Sequence, residues 1–119
     1  MAAITIKHCD TGNGELDMID HDGNSASTIH AAISEIVTWT IDPHSGVKEI
    51  TKIDKKEGSD NVFNPLPRRL GKSKNWQGTI DPDLDPSINQ ETYFIEWVDE
   101  TAGKKHTYDP LIQINPRIV

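Results

Sequence analysis

A chain of 119 residues is long enough to bury one core and too short for two, so a single domain over residues 1–119 is expected. Its net charge of −7 sets it against a phosphate backbone, which argues against nucleic acid as the partner. Cys9 is the only cysteine, so an intramolecular disulfide and a thiolate cluster for zinc or for iron and sulfur are excluded.

From the N-terminus, short period-two runs alternate with Gly, Pro, Asn and Asp clusters, which is how strands and their turns read. Ala3 to His8 alternates Ile4 and Ile6 with polar neighbours, and Thr11-Gly12-Asn13-Gly14 supplies a turn. Glu15 to Ile19 predicts a second strand with Leu16 and Met18 on one face, followed by a polar turn over Asp20 to Ser25. Ser27 to Ala31 predicts a third strand, although Ile29 to Ile36 also accepts one or two helical turns.

The centre is more regular. Ile36 to Asp42 directs Val37, Trp39 and Ile41 to one face, and Pro43 to Gly46 breaks the run. In Val47 to Asp54 the apolar residues Val47, Ile50 and Ile53 fit neither period, so a bulge or a change of face is expected. Lys55 to Lys74 carries Gly58, Pro65, Pro67 and Gly71 and predicts a long, mobile loop with Val62 and Phe63 pinned to the body. Trp76 to Ile80 resumes as a strand, and Pro82 and Pro86 interrupt the connection that follows.

Thr92 to Asp99 is the strongest strand, with Tyr93, Ile95 and Trp97 on one face and Phe94, Glu96 and Val98 on the other. A turn at Ala102-Gly103 returns the chain over Lys105 to Tyr108, and Leu111 to Asn115 closes it. The expected fold is all-β, a Greek-key β-sandwich of about seven or eight strands with Trp39 and Trp97 at the centre of the core.

The Val37-Thr38-Trp39 strand, the long loop after it and the closing pair Tyr93-Phe94-Ile95-Glu96-Trp97 and Ile112-Gln113-Ile114 resemble the sandwich of cupredoxins such as plastocyanin. The likeness covers roughly residues 25 to 116 and extends almost as well to immunoglobulin-like sandwiches. It is a likeness of strand pattern, with no specific motif behind it. The cupredoxin resemblance implies a copper site of one His after the central strand and a Cys, a His and a Met around the last two strands. Here Trp97 stands where the Cys is implied, Cys9 is on the first strand, Met18 on the second, and only His44 and His106 fall near the implied places. Blue-copper electron transfer is therefore disfavoured, and no cofactor is expected.

Other chemistries are equally thin. Cys9 and His8 are strand neighbours that point to opposite faces, which is the wrong geometry for a thiol and its base. No glycine-rich phosphate loop is present, and the carboxylates are scattered, so no enzyme class is supported. Asp81, Asp83 and Asp85 alternate as calcium ligands do, but Pro86 sits where a calcium loop needs Gly; Asp20, Asp22 and Asn24 repeat the spacing without the closing Glu. Turns capped by these side chains are the simpler expectation, with a weak calcium site as the alternative.

Charge distribution says more than net charge. Lys48 to Lys74 holds eight basic residues (Lys48, Lys52, Lys55, Lys56, Arg68, Arg69, Lys72, Lys74) and four acidic ones (Glu49, Asp54, Glu57, Asp60), in a chain otherwise strongly negative. The functional expectation is a non-catalytic module for protein interaction. Its candidate contact residues are Arg68, Arg69, Lys72, Lys74 and Trp76. Carbohydrate binding is an alternative if Trp39, Trp76 or Trp97 proves exposed, Trp76 being the first to check, and small-ligand binding is another if a pocket with converging polar groups forms. The N-terminus has no basic leader before a long apolar run, and no segment nears the roughly 18 apolar residues of a membrane helix, so a cytoplasmic place and no membrane are expected.

Overall fold

The alternating runs become strands whose apolar residues share a side. A computed structural model describes residues 2–115, with ten strands and no helix among them. Met1 and residues 116–119, the ends of the expected domain, lie outside the described residues. The strands are β1 (Ala2–Cys9), β2 (Leu16–Ile19), β3 (Thr28–Ala31), β4 (Ile36–Ile41) and β5 (Val47–Lys55), then β6 (Arg68–Arg69), β7 (Trp76–Thr79), β8 (Gln90–Asp99), β9 (Lys105–Tyr108) and β10 (Leu111–Ile114).

They form two sheets. One runs β2-β1-β4-β7-β6, and the other runs β3-β10-β8-β5 with β9 also paired to β8. Because β1 lies parallel to β4 and β3 parallel to β10 while the other pairs are antiparallel, both sheets are mixed. The inner faces share one core, with Ile4, Ile6, Val37 and Trp39 from the first sheet against Tyr93, Ile95, Trp97 and Ile112 from the second. Across the gap the Trp39 and Tyr93 rings lie 5.9 Å apart, and Trp39 Nε1 donates to Tyr93 Oη at 3.4 Å. Trp39 and Trp97 are fully buried, as their place in the alternation requires.

β5 shows how an irregular pattern is accommodated. Val47, Ile50 and Ile53 are three apart yet all buried, because the pairing with β8 slips between Val47 and Glu49 and again between Ile50 and Lys52. Each slip returns the next apolar residue to the inner face. The helical alternative after β3 is not taken: Ser34 adopts φ 68°, and its N–H donates to the Ile80 carbonyl at 2.9 Å, which turns the chain into β4.

The segment from Lys55 to Lys74 differs most from expectation. Val62 and Phe63 are buried as foreseen, and the Phe63 ring stands 5.9 Å from Trp39. A Cβ at Gly78 would approach Phe63 Cδ1 to 2.8 Å, so the glycine is what lets this ring close over β7. The second half of the segment is no loose loop: β6 pairs antiparallel with β7 and becomes the edge of the first sheet.

Candidate functional site

The turn between β6 and β7 is knit by its own hydrogen bonds. Leu70 N–H donates to Asn75 O at 2.8 Å, Ser73 Oγ donates to Leu70 O at 2.6 Å, and Gly71 takes φ 56°, a region that favours glycine. Lys72 and Lys74 are thus presented on an ordered hairpin.

The five expected contact residues separate into two groups. Arg68, Lys72 and Lys74 are exposed, and no described carboxylate lies within ion-pair distance of them. Lys7, Lys56 and Lys105, by contrast, meet Asp42, Asp109 and Glu96 at 2.7, 3.0 and 2.9 Å. Arg69 is engaged in the fold: its guanidinium donates to the Ile50 carbonyl at 3.0 Å and ties the β6 edge of one sheet to the β5 edge of the other.

Trp76 requires correction. It faces the core and is only 9% exposed, with its Nε1 buried and making no hydrogen bond among the described residues. The alternation of β7 turns Trp76 and Gly78 inward and Gln77 and Thr79 outward, so the Trp76 ring packs into the core and offers no exposed aromatic platform.

At the far end of β8 charge is handled differently. Asp99 continues the inward row of Tyr93, Ile95 and Trp97, where it accepts hydrogen bonds from Ala102 and Gly103 N–H at 2.6 and 3.1 Å. His106 Nε2 lies 2.7 Å from Asp99 Oδ2, and the His106 ring stacks on Trp97 at 4.4 Å. The Ala102 N–H, then His106, hold the Asp99 carboxyl below its usual range. Trp97 Nε1 completes the cluster by donating to Gly14 O at 3.0 Å.

Copper does not fit these residues. His106 Nε2 is turned to Asp99, His44 is on an exposed turn, Met18 is buried in the core, and Cys9 lies on β1. Burial first, then Asp99, Asp10 and Glu100, push the Cys9 thiol up, away from the thiolate that copper or nucleophilic chemistry uses. No group of three His, Cys, Asp or Glu among the described residues could hold a metal ion.

The aspartate clusters cap turns. Asp81 Oδ1 accepts Asp83 N–H at 2.8 Å, Asp85 Oδ1 accepts Ser87 N–H at 2.9 Å, and Asp20 Oδ1 accepts both Asp22 and Asn24 N–H. A cavity of about 460 Å³ opens beside the β2–β3 crossover, with His21, His30 and Asp20 on its polar wall and Ile4 and Ile29 on its apolar one. No Trp, Tyr or Phe side chain lines it among the described residues.

Two features escaped the sequence reading. Glu91, at the opposite end of the inward β8 row from Asp99, is buried, and among the described residues the Val62 N–H alone donates to it, at Oε1 and 2.9 Å. Burial, with Asp54 adding to it, raises its carboxyl to about 7 against the opposing pull of Val62 N–H and Lys55. Ile36 and Leu66, 40% and 52% exposed, are the large apolar side chains left in solvent among the described residues. Strand parity carried a signal for Glu91, whereas nothing local marked Leu66. In comparisons with known proteins, no family model matches this sequence and no curated protein is similar to it.

Proposed function

We propose that this domain is a non-catalytic binding module that engages an acidic protein surface through Arg68, Lys72 and Lys74 of the β6–β7 hairpin. One observation carries the reading: these cations lie exposed on one hairpin with no ion-pair partner among the described residues, in a chain whose net charge is −7. Unpaired surface charge contributes little to a fold, yet it steers a complementary partner and fixes its orientation. The accompanying fold reading is a cupredoxin-like Greek-key sandwich without the copper ligands. The parallel pairings of β1 with β4 and β3 with β10 support it over the immunoglobulin-like alternative, whose sheets are antiparallel.

An octaglutamate peptide titrated into isotope-labelled protein tests the reading. Amide shifts are expected to concentrate on residues 68–76 and to fade as salt is raised, since exposed charges are screened beyond about 10 Å at 0.1 M. Shifts absent at millimolar peptide, or centred elsewhere, would reject the hairpin as the binding element.

A further inference from the structure

The outward face of the first sheet beside the hairpin is unlike the rest of the surface. β4 turns Ile36, Thr38 and Thr40 outward, and β7 turns Gln77 and Thr79 outward, a stretch without a charged group in a chain with 26% charged residues. Thr79 sits at the middle of its apolar end. On one side it pairs with Ile36. On the other, Asn64 N–H donates to Thr79 O at 2.9 Å and Thr79 N–H donates to Pro65 O at 3.4 Å, which brings in the stretch that carries Leu66.

That stretch is bulged. Phe63 bridges Ile80 and Arg68 pairs with Gln77, so five steps of chain run opposite three, and the surplus around Leu66 is pushed to the surface. Ile36 thus pairs on one side of Thr79, the stretch that carries the exposed Leu66 pairs on the other, and Arg68 follows Leu66 by two residues. A partner strand added to this edge is disfavoured, because β6 has only two residues and Pro65 and Pro67 lack N–H donors. The sheet face remains as the place to dock.

We infer that the partner segment is an acidic polypeptide with one large apolar side chain, which seats over Thr79 between Ile36 and Leu66 while its carboxylates meet Arg68, Lys72 and Lys74. The inference rests on the binding reading above and adds the partner's apolar anchor. Charge complementarity selects the acidic flank, and the uncharged face with its exposed Ile36 and Leu66 selects the anchor.

The test compares two nine-residue peptides, each of eight glutamates around a central leucine or a central serine, by labelled-peptide anisotropy and amide shifts. The leucine peptide is expected to bind about tenfold tighter, as burial of much of an aliphatic side chain predicts, with shifts reaching Ile36 and Thr79. Ile36→Thr and Leu66→Ser should each remove most of that gain while leaving the salt dependence and the melting temperature in place. Equal affinities with shifts confined to the hairpin would overturn the anchor and keep the binding reading; no binding by either peptide would overturn both. Sedimentation of the protein alone supplies the remaining arm: a dimer that Leu66→Ser abolishes would assign the face to a second copy and overturn the inference.

Discussion

The β8–β9 end and the β6–β7 hairpin both carry charge, and they use it in opposite ways. At the first, Asp99 and His106 meet at 2.7 Å beneath the surface and Lys105 meets Glu96 at 2.9 Å, so these polar side chains are engaged with one another and with backbone N–H groups. On the hairpin, Arg68, Lys72 and Lys74 face solvent with no carboxylate in reach among the described residues. Paired charge in a buried setting holds an architecture together, while unpaired exposed charge is left for other molecules. Only Arg69 crosses between the two regimes, because it lies on the hairpin and its guanidinium serves the sheet-to-sheet seam.

The sharpest break in this contrast is at Trp97, the ring on which His106 stacks. Trp97→Ala is expected to cost about 3–5 kcal/mol in denaturant unfolding, since it removes a fully buried ring and the floor beneath the Asp99–His106 contact together. A loss below about 1 kcal/mol would mean that the inner row of β8 is not the core described above.

Glu91 comes next, because it is the buried acid of the same row with no ion pair among the described residues. Its folded value, about 7, is raised above an unfolded value near 4.5, so its contribution is fully present below 4.5 and is lost as pH rises through 7. The parent should therefore lose about 3 kcal/mol relative to Glu91→Gln between pH 4.5 and pH 8. Parallel pH profiles for the two proteins would place Glu91 in water. Asp99 shows the opposite sign: its folded value is depressed, so its contribution is present at neutral pH and is lost as pH falls through that folded value. Asp99→Asn should lower the melting temperature at pH 7 and flatten the acid limb of the profile, and an unchanged acid limb would contradict the role given to the Ala102 and His106 contacts.

These two acids show how much the sequence carried. Strand parity over Thr92 to Asp99 placed Tyr93, Ile95 and Trp97 on one face; the structure extends the strand to Gln90–Asp99, and counting by twos in either direction along that row reaches Glu91 and Asp99. Their partners come from the β9 return and the 55–65 stretch, contacts set by tertiary packing that no local period encodes. The same limit explains Lys55 to Lys74. Its glycines and prolines signalled turns correctly, but the Arg68–Arg69 pairing with Gln77 and Trp76 is too short to leave a periodic trace. The strand beginning at Trp76 was legible, but the polar neighbours Asn75 and Gln77 left its ring a candidate for solvent, where alternation in an edge-proximal strand puts the ring inside and those neighbours outside or in the turn. Arg68, Lys72 and Lys74 were legible as a basic cluster, and only the structure showed that no carboxylate among the described residues pairs with them.

Smaller effects follow on the hairpin. Arg69→Ala is expected to cost about 1 kcal/mol, the worth of one hydrogen bond from a charged donor at a partly exposed seam, and it should leave peptide affinity within about twofold of the parent. Reversal of Arg68, Lys72 and Lys74 to Glu should change stability by no more than about 0.5 kcal/mol.

The most direct measurement of the central claim is the dissociation constant of octaglutamate for the parent and for the Arg68→Glu, Lys72→Glu, Lys74→Glu variant, taken at low and physiological salt beside a thermal melt of each. The account predicts salt-sensitive binding by the parent, a loss of about tenfold or more in the variant as three attractive charges become repulsive, and melting temperatures that agree. Equal, salt-independent affinity in the two proteins would contradict it.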